Sequence, residues 1–205
     1  MHPKRLMRPP LDSPDSADNA DSTVSVPGRL LVAPQVPAAS HQENPVGRDF
    51  RDALGSFATG VTVLTALAPD GQPVGVTISS FNSVSLQPPL ILWSLACESP
   101  RLEAFRQARH YAVNVLAVDQ VAVSDRFASR EDDRFGGVRT VPGMAGVPLI
   151  EGCTAWFECS NEAHYPGGDH LIFLGRVQRF ARGKGVEPLI FHGGRYRILG
   201  DESGP

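Results

Sequence analysis

TISSFNSVS, running from Thr77 to Ser85, follows an apolar segment, and six of its nine residues carry a short hydroxyl or amide side chain. In the residues that lead into it, aliphatic and small polar residues alternate: Val74, Gly75, Val76, Thr77, Ile78 and Ser79. A period of two is typical of a β-strand, with the aliphatic side chains on one face and the small polar ones on the other. We therefore predict a strand that leads into a hydroxyl-rich segment, and we expect the polar face of this strand to lie outside the core.

The hydroxyl-rich segment has two interpretations. Phosphates are commonly held by hydroxyls and backbone N–H groups where small residues allow close approach. The residues that would allow it here are Gly75, Ser79, Ser80 and Ser83. The segment then forms a cradle for an anion that carries a flat ring. Alternatively, it is a solvated strand followed by a turn rich in Ser and Asn, and the local pattern leaves both interpretations open.

Length, charge and cysteines narrow the class of protein. The 205 residues suffice for one domain with a sizeable core and a tail, and not for two large domains. A net charge of -3 gives no broad basic field, which argues against nucleic acid as the main partner. The cysteines Cys97, Cys153 and Cys159 are odd in number and lack CxxC spacing. They indicate reduced thiols rather than a disulfide framework or a zinc site.

The N-terminal sequence does not have the pattern of an export signal. MHPKRLMRPP is basic, but DSPDSADNADS follows it instead of an apolar region. No apolar run in the chain reaches the roughly 18 residues that a membrane-spanning helix needs. We therefore expect a soluble, cytoplasmic protein that binds no membrane.

Composition divides the chain into a tail and one domain. Residues 1–46 are rich in Pro, Ala, Ser and Asp without a sustained period, so we predict a disordered tail. Within it, RLLVAP at Arg29–Pro34 is a segment that could dock on the domain. The domain is expected at 47–200, and residues 201–205 form a short C-terminal tail.

The domain itself is predicted to be mainly β with short helices. Helices are expected over 50–57, 101–107 and 120–127, the second with Ser99 as N-cap and Pro100 at its first position. Strands are expected over 61–67, 74–79, 89–95, 111–115, 154–165, 170–180, 189–191 and 195–199. PDG at 69–71 and the glycines at 193–194 are expected to form hairpin turns. Because so many antiparallel strands need their edges protected, we expect a barrel.

GGDH, from Gly167 to His170, is a second candidate site. The glycines allow a tight turn and leave room for a flat ligand, and Asp169 can orient the imidazole of His170 at the start of a strand. Alternatively, His170 is an exposed or packed residue in a turn. It has no partners at zinc spacing, so no metal site is predicted. GxGxxG and GxxxxGK[ST] are both missing from the sequence, so a nicotinamide would have to bind without a dinucleotide fold.

Six segments, in this order, carry a resemblance to a known family: FRDALGSFATGVTVLTA (50–66), GVTISSFNSVSLQPPLILWSL (75–95), YAVNVLAVDQ (111–120), DRFA (125–128), GGDHLIFLGRV (167–177) and PLIFHGGRYRIL (188–199). On these segments, the chain from Phe50 to Leu199 resembles the short flavin reductases, which supply reduced flavin to two-component monooxygenases. The resemblance implies the split β-barrel of FMN-binding proteins. It also implies FMN as the cofactor, with FAD possible, and NADH or NADPH as the hydride donor.

The resemblance also implies a set of site residues. Those along the flavin ring and ribityl chain are Thr77, Ile78, Ser79, Ser80 and Phe81. Ser83 and Ser85 lie near the ribityl or phosphate end, and Gly168 lies beside the ring. His170, with Asp169, positions the nicotinamide and is the candidate catalytic residue. Family members often have a smaller residue at the position of Ile78, and the alternation places this side chain inward.

Two further candidates each have a structural alternative. Arg126 in DRFA could bind a flavin phosphate bidentately, or it could form a surface ion pair with Asp125, Asp132 or Asp133. Asn114 lies in an apolar strand and needs partners for its amide. Those partners could be the flavin or the neighbouring backbone.

The resemblance predicts an NAD(P)H:flavin oxidoreductase that passes reduced flavin to a partner monooxygenase and forms a homodimer. No nucleophile with a nearby base stands out, which agrees with hydride transfer between cofactors. One alternative is a flavin-binding protein for electron transfer or storage, although such a protein would not need GGDH. Another is an oxidase of the pyridoxamine phosphate type, although Lys and Arg do not cluster around Thr77–Ser85 in the sequence.

Overall fold

The computed structural model describes residues 45–131 and 133–200. The predicted tails therefore lie outside the described residues, apart from Pro45 and Val46. The helices are α1 (Pro45–Gly55), α2 (Leu102–Gln107) and α3 (Val121–Ala128), and a 3-10 turn covers Met144–Gly146. The strands are β1 (Thr59–Gly60), β2 (Thr62–Leu67), β3 (Pro73–Ile78), β4 (Asn82–Leu86), β5 (Pro89–Ala96), β6 (His110–Val115), β7 (Thr140–Pro142), β8 (Pro148–Ile150), β9 (Ala155–Gly167), β10 (His170–Arg182), β11 (Ile190–His192) and β12 (Arg195–Arg197).

Each predicted strand is present, with ends that differ from the prediction by two residues or fewer. Two local expectations were wrong. Helix α2 begins at Leu102, so Arg101 occupies the N-cap position and Ser99 lies outside the helix. Residues 82–86 form strand β4 rather than a turn, because they pair with β5.

A seven-stranded sheet, in the order β3-β2-β6-β9-β10-β5-β4, forms the body of the domain, and every pair in it is antiparallel. Its edge strands, β3 and β4, are joined by residues 79–81 alone. This link can span about 14 Å at most, whereas seven flat strands would separate the edges by about 29 Å. The sheet must therefore roll up until its edges meet. No β-ladder joins β3 to β4 among the described strands, so the fold is a split barrel, as predicted.

Aromatic side chains fill the interior of the barrel. Trp93 of β5 stacks on Phe173 of β10 with ring centroids 4.0 Å apart. It also meets Phe105 of α2 and Tyr111 of β6 edge to face. All four side chains are buried, and the burial of such large rings is a major source of stability. Phe105 thereby anchors α2 to the barrel.

A second buried cluster lies on the other face of β2. Leu64 belongs to the interior cluster, while its neighbour Val63 belongs to the second one, so both faces of this strand are covered. Phe127 of α3 is buried in the second cluster, and Phe191 and Tyr196 of the β11–β12 hairpin pack against it. This layer holds α3 and the hairpin next to strand β3.

The polar face of β3 is covered by α3, contrary to the expectation that it lies outside the core. A Cβ atom at Gly75 would lie 2.4 Å from Cε1 of Phe127. Next along the strand, the Thr77 hydroxyl donates a hydrogen bond to the Ser124 carbonyl at 2.7 Å. Helix α3 therefore packs directly on this face, and glycine is what admits the Phe127 ring. The other face of β3 contributes to the barrel interior as predicted, through Val74, Val76 and Ile78.

Candidate active site

A cleft of about 410 Å³ opens at the end of β3. It brings together five of the predicted site residues: Thr77, Ile78, Ser79, Ser80 and His170. Its other walls come from β5, α3 and the β11–β12 hairpin, and include Ser94, Leu95, Ser124, Phe191 and Tyr196. The two motifs that the sequence singled out, nearly a hundred residues apart, therefore meet in one cavity.

The GGDH turn joins β9 to β10 and carries the imidazole at the rim of the cleft. Gly168 has φ +73°, the left-handed conformation that favours glycine. The Asp169 carboxylate lies 2.7 Å from Nδ1 of His170, and this contact holds the pKa of Asp169 below its ordinary value. The Asp169 carbonyl accepts a hydrogen bond from the Cys97 amide, which ties the turn to the end of β5. His170 is thus fixed through Nδ1, and Nε2 remains available to a ligand.

Tyr196 of the hairpin completes the wall opposite the hydroxyl-rich segment. Its hydroxyl lies 2.9 Å from the Ser124 hydroxyl and 2.7 Å from the Asp125 carboxylate. Partial burial raises the pKa of Tyr196, so this hydroxyl stays protonated and donates. Together with the bond from Thr77 to the Ser124 carbonyl, these contacts link β3, α3 and the hairpin. Sequence reasoning did not identify Tyr196 or Ser124, although GGRYR was part of a quoted segment.

Ser80 lines the cleft, but its hydroxyl is engaged in the fold. It donates to the Ser94 carbonyl at 2.9 Å and accepts from the Ser94 amide at 3.0 Å. These two bonds replace strand pairing where the link between β3 and β4 crosses β5. Ser79, by contrast, is exposed at the cleft, and its hydroxyl is the better placed to bind a ligand.

Three predicted flavin contacts lie outside the cleft of this chain. Phe81 packs on Phe157, with ring centroids 5.6 Å apart, against the barrel interior. Ser83 and Ser85 belong to edge strand β4, where Ser83 is exposed and the Ser85 hydroxyl accepts a hydrogen bond from the Gln87 amide.

Asn114 has the structural role that the sequence left as an alternative. It is 0% exposed. Its amide donates to the Val63 carbonyl and to the Thr65 hydroxyl, and its oxygen accepts from the Ile150 amide. All of these partners are protein groups within the second cluster or beside it. This amide is therefore bonded within the fold, and its burial leaves it no access to the cleft.

Arg126 does not line the cleft either. Its guanidinium contacts the backbone carbonyl of Asp133 at 3.4 Å, on the outer side of α3. The predicted phosphate contact is not supported by this placement. The alternative ion pair between Arg126 and Asp132 involves a residue that lies outside the described ranges.

The arginines that do face a cavity lie in a neighbouring groove of about 800 Å³. We define the groove by its lining segments, 73–77 of β3, 98–101, 127–130 and 134–135. Arg134 is buried there and donates to the carbonyls of Gly75 at 3.2 Å, of Phe127 at 2.6 Å and of Ser129. It satisfies carbonyls that α3 leaves unpaired at its C-terminal end. Arg134 therefore fastens α3 to β3.

Neither a metal centre nor a membrane helix is evident in the part of the chain that the structure describes. No three His, Cys, Asp or Glu side chains of residues 45–131 and 133–200 are grouped to hold a metal ion. The helices within these ranges are too short or too polar to cross a membrane. All three cysteines are free thiols, as predicted, and burial raises the pKa of both Cys153 and Cys159 to about 12.

Comparison with known proteins shows the family of the chain. Residues 54–200 match the family described as flavin reductase like domain. The chain is 48% identical to FMN reductase (NADH) SmoA of Agrobacterium fabrum over 149 residues, which cover 73% of this chain and 84% of the relative. It is 44% identical to the reductase component of the flavin-dependent trigonelline monooxygenase of Acinetobacter baylyi, covering 73% of this chain and only 48% of that relative.

Solved structures give the same result. The NADH:FAD oxidoreductase SgcE6 of Streptomyces globisporus, solved with NAD and FAD fragments, superposes with a TM-score of 0.74 at 36% identity, covering 80% of this chain and 100% of the other. The chain belongs to the flavin reductase-like family, as its sequence segments indicated. It is accordingly an oxidoreductase of the flavin reductase class, and the split-barrel prediction is confirmed.

Proposed function

We propose that the chain transfers a hydride from NADH or NADPH to FMN or FAD and releases the reduced flavin to a separate monooxygenase. The observation that carries this proposal is the meeting of Thr77–Ser80 with the Asp169–His170 pair in one cleft. When both molecules are bound, the nicotinamide and the flavin supply the chemistry, a hydride passing from C4 of one to N5 of the other. The protein has to bind them, align them and exclude water.

The residues of the cleft fit a flat heterocycle with a polar edge. Ile78, Leu95 and Phe191 offer an apolar surface, and Ser79 adds an exposed hydroxyl beside Thr77. A volume of about 410 Å³ is in the range of small-molecule sites. Gly168 is not among the lining residues, but in the turn that carries His170 it leaves open space where any other residue would place a side chain.

His170 is assigned to nicotinamide. The Asp169 carboxylate occupies Nδ1, which directs Nε2 away from the turn. A ring held in this way can donate or accept one hydrogen bond at a defined place, which suits alignment rather than proton transfer. The names of SmoA and SgcE6 both specify NADH as the donor, which supports NADH over NADPH.

The cleft suits a flavin that binds reversibly and dissociates once it is reduced. Among the residues that line it in the described chain, none is a lysine or an arginine, so binding depends on hydroxyls, backbone groups and apolar contact. Neutral hydrogen bonds contribute about 0.5 to 1.5 kcal/mol each, less than bonds to a charged group. Release of reduced flavin to a second enzyme requires such moderate affinity. The name of the Acinetobacter relative, a reductase component of a monooxygenase, supports a partner of that kind.

The proposal includes a homodimer. Phe50 and Leu54 of α1 and Phe57 just after this helix are exposed, as is Leu86 of edge strand β4 at 90%. Exposed apolar side chains of this size commonly mark an interface between subunits. Ser83 and Ser85 could reach flavin only across such an interface. Light scattering on the purified chain tests this: a monomer mass at all concentrations would contradict the dimer.

Nicotinamide oxidation tests the activity. Purified protein is dialysed extensively and mixed with NADH or NADPH, and with FMN, FAD or riboflavin in turn, and the absorbance of the reduced nicotinamide is followed. We expect oxidation that requires added flavin. If flavin instead stays bound through dialysis and neither NADH nor NADPH is oxidised, the alternative of a storage or electron-transfer protein is correct.

A further inference from the structure

Tyr196 separates the cleft from a further cavity, which we call the rear cavity. It has a volume of about 390 Å³, and Val118, Val121, Leu189 and Ile198 are among the residues that line it. Within the described chain, Tyr196 alone lines both the rear cavity and the cleft. Because empty space adjoins this side chain on two sides, packing alone does not fix its position.

Contacts from the hairpin and from α3 hold the Tyr196 ring in place. Within the hairpin, the Phe191 ring meets it edge to face, with ring centroids 5.7 Å apart. From α3, Oδ1 of Asp125 lies 2.7 Å and Oγ of Ser124 lies 2.9 Å from the phenol oxygen. A phenol has one proton and a carboxylate can only accept, so Tyr196 donates to Asp125 and accepts from Ser124. The bond to the carboxylate is charge-assisted and is therefore the stronger of the two.

The cleft thus has two rings that are each held by a neighbouring carboxylate. In the GGDH turn, Asp169 holds His170, and at the wall formed by the hairpin, Asp125 holds Tyr196. Asp125 directly precedes Arg126 in DRFA, so this segment contributes to the site through its acidic residue. A ring held in this way offers a surface to a flat heterocycle, and stacked rings attract one another beyond the area that they bury.

We propose that Asp125 and Tyr196 form a positioning pair for the flavin, in which the Tyr196 ring contacts the flavin ring and Asp125 fixes the Tyr196 ring. This inference rests on the proposed function, and Asp125 acts on the ligand only through Tyr196. Without the hydrogen bond, the ring can move back into the rear cavity, and the flavin loses one wall of its site. A ring that is fixed before the flavin arrives binds it without an ordering cost, so the pair raises flavin affinity.

Flavin fluorescence tests the contact. A phenol ring that touches an excited flavin quenches its emission by transferring an electron, which then returns to the phenol. Among the described residues that line the cleft, Tyr196 is the sole Tyr or Trp. We expect FMN to emit weakly when it is bound to the wild-type chain, and brightly when it is bound to Tyr196→Phe, whose ring donates no electron. Asp125→Ala keeps the phenol but frees it, so its bound FMN should also emit more brightly than in the wild type.

A double-mutant cycle tests the pairing. Tyr196→Phe and Asp125→Ala should each raise the dissociation constant of FMN by about three- to tenfold, measured by titration without nicotinamide. The double variant should bind FMN no more weakly than Tyr196→Phe, because both changes break the same hydrogen bond. Tyr165→Phe and Asp119→Ala, at exposed residues that line neither cavity, are the matched controls. If thermal unfolding shows that Asp125→Ala does not fold, Asp125→Asn takes its place, with a smaller effect because it keeps a neutral acceptor.

The outcomes separate this inference from the proposed activity. Equal emission of FMN bound to the wild-type chain and to both variants would overturn the contact, and additive losses of affinity would overturn the pairing. If the wild-type chain quenches FMN as expected but oxidises neither NADH nor NADPH, the activity is overturned and the pair stands. If it oxidises them and neither variant changes the emission or the affinity, the pair alone is overturned.

Discussion

His170 and Asp169 show how one side chain can be placed by its neighbour. The carboxylate fixes the imidazole through Nδ1, and the Cys97 amide holds the turn in position from behind. Neither residue is buried, so the arrangement depends on hydrogen bonds and on the left-handed glycine before it. This makes His170 the residue with which the site assignment can be tested most directly.

We expect His170→Ala to separate flavin binding from turnover. Flavin affinity should persist, because the hydroxyls at Thr77 and Ser79 are untouched. The NAD(P)H-dependent rate should fall by about ten- to a hundredfold, the scale of lost positioning. Fluorescence titration and steady-state rates at saturating flavin measure the two effects. Full activity with both nicotinamides would mean that GGDH is only a tight turn.

Ser80 should affect stability more than binding. Ser80→Ala removes a donor and an acceptor from Ser94, and the expected loss is about 1 to 3 kcal/mol in the free energy of unfolding. Ser83→Ala, on the exposed side of β4, is the control and should change stability little. Denaturant unfolding measures both. If Ser80→Ala is as stable as the wild-type chain but binds flavin more weakly, the Ser80 hydroxyl contacts the ligand instead of stabilising the fold.

At the scale of elements, the packing of α3 on β3 creates both the cleft and the groove. Phe127 lies where a side chain at Gly75 would be, and Arg134 binds carbonyls of both elements. The walls of the cleft therefore depend on a helix of eight residues, which the Phe127 ring, the Arg134 guanidinium and the Thr77 hydroxyl hold against β3. A change at this seam should disturb the fold and the site together.

Gly75→Ala tests this dependence. The added methyl group would lie 2.4 Å from the Phe127 ring, so the ring and α3 must move. Overpacking of this kind costs about 1 to 3 kcal/mol, and flavin affinity should fall with stability because the wall at Ser124 shifts. Gly60→Ala has open space around its Cβ and is the matched control. Thermal unfolding and flavin titration are the measurements. If Gly75→Ala binds flavin normally at unchanged stability, α3 does not set the shape of the cleft.

For the whole molecule, the domain should be independent of the N-terminal segment. Helix α1 begins at Pro45, so removal of residues 1–44 spares every described element. Because the composition of that segment provides no core-forming pattern, reductase activity and unfolding midpoint should stay nearly unchanged. A cooperative loss of stability on truncation would show that RLLVAP contributes to the domain.

The sequence by itself determined the split barrel and five of the residues that line the cleft. Alternation and turn residues placed eight of the twelve described strands to within two residues. The hydroxyl-rich segment and GGDH are each contiguous in the sequence, so each could be recognised without the fold. The period of β3 correctly placed Ile78 inward. A pattern of this kind is local, so it can be read from one segment alone.

Only the tertiary structure decided which polar side chains form hydrogen bonds within the fold and which face a cavity that could hold a ligand. Asn114 and Ser80 look equally available in the sequence, but one is buried among protein partners and the other bridges to β5. Arg126 and Arg130 lie four residues apart, and the turn at the end of α3 directs only Arg130 to a cavity. Tyr196 reaches the cleft because the last hairpin packs on the second cluster. Contacts between segments distant in the chain depend on how elements pack, and single-sequence periodicity carries no record of that packing.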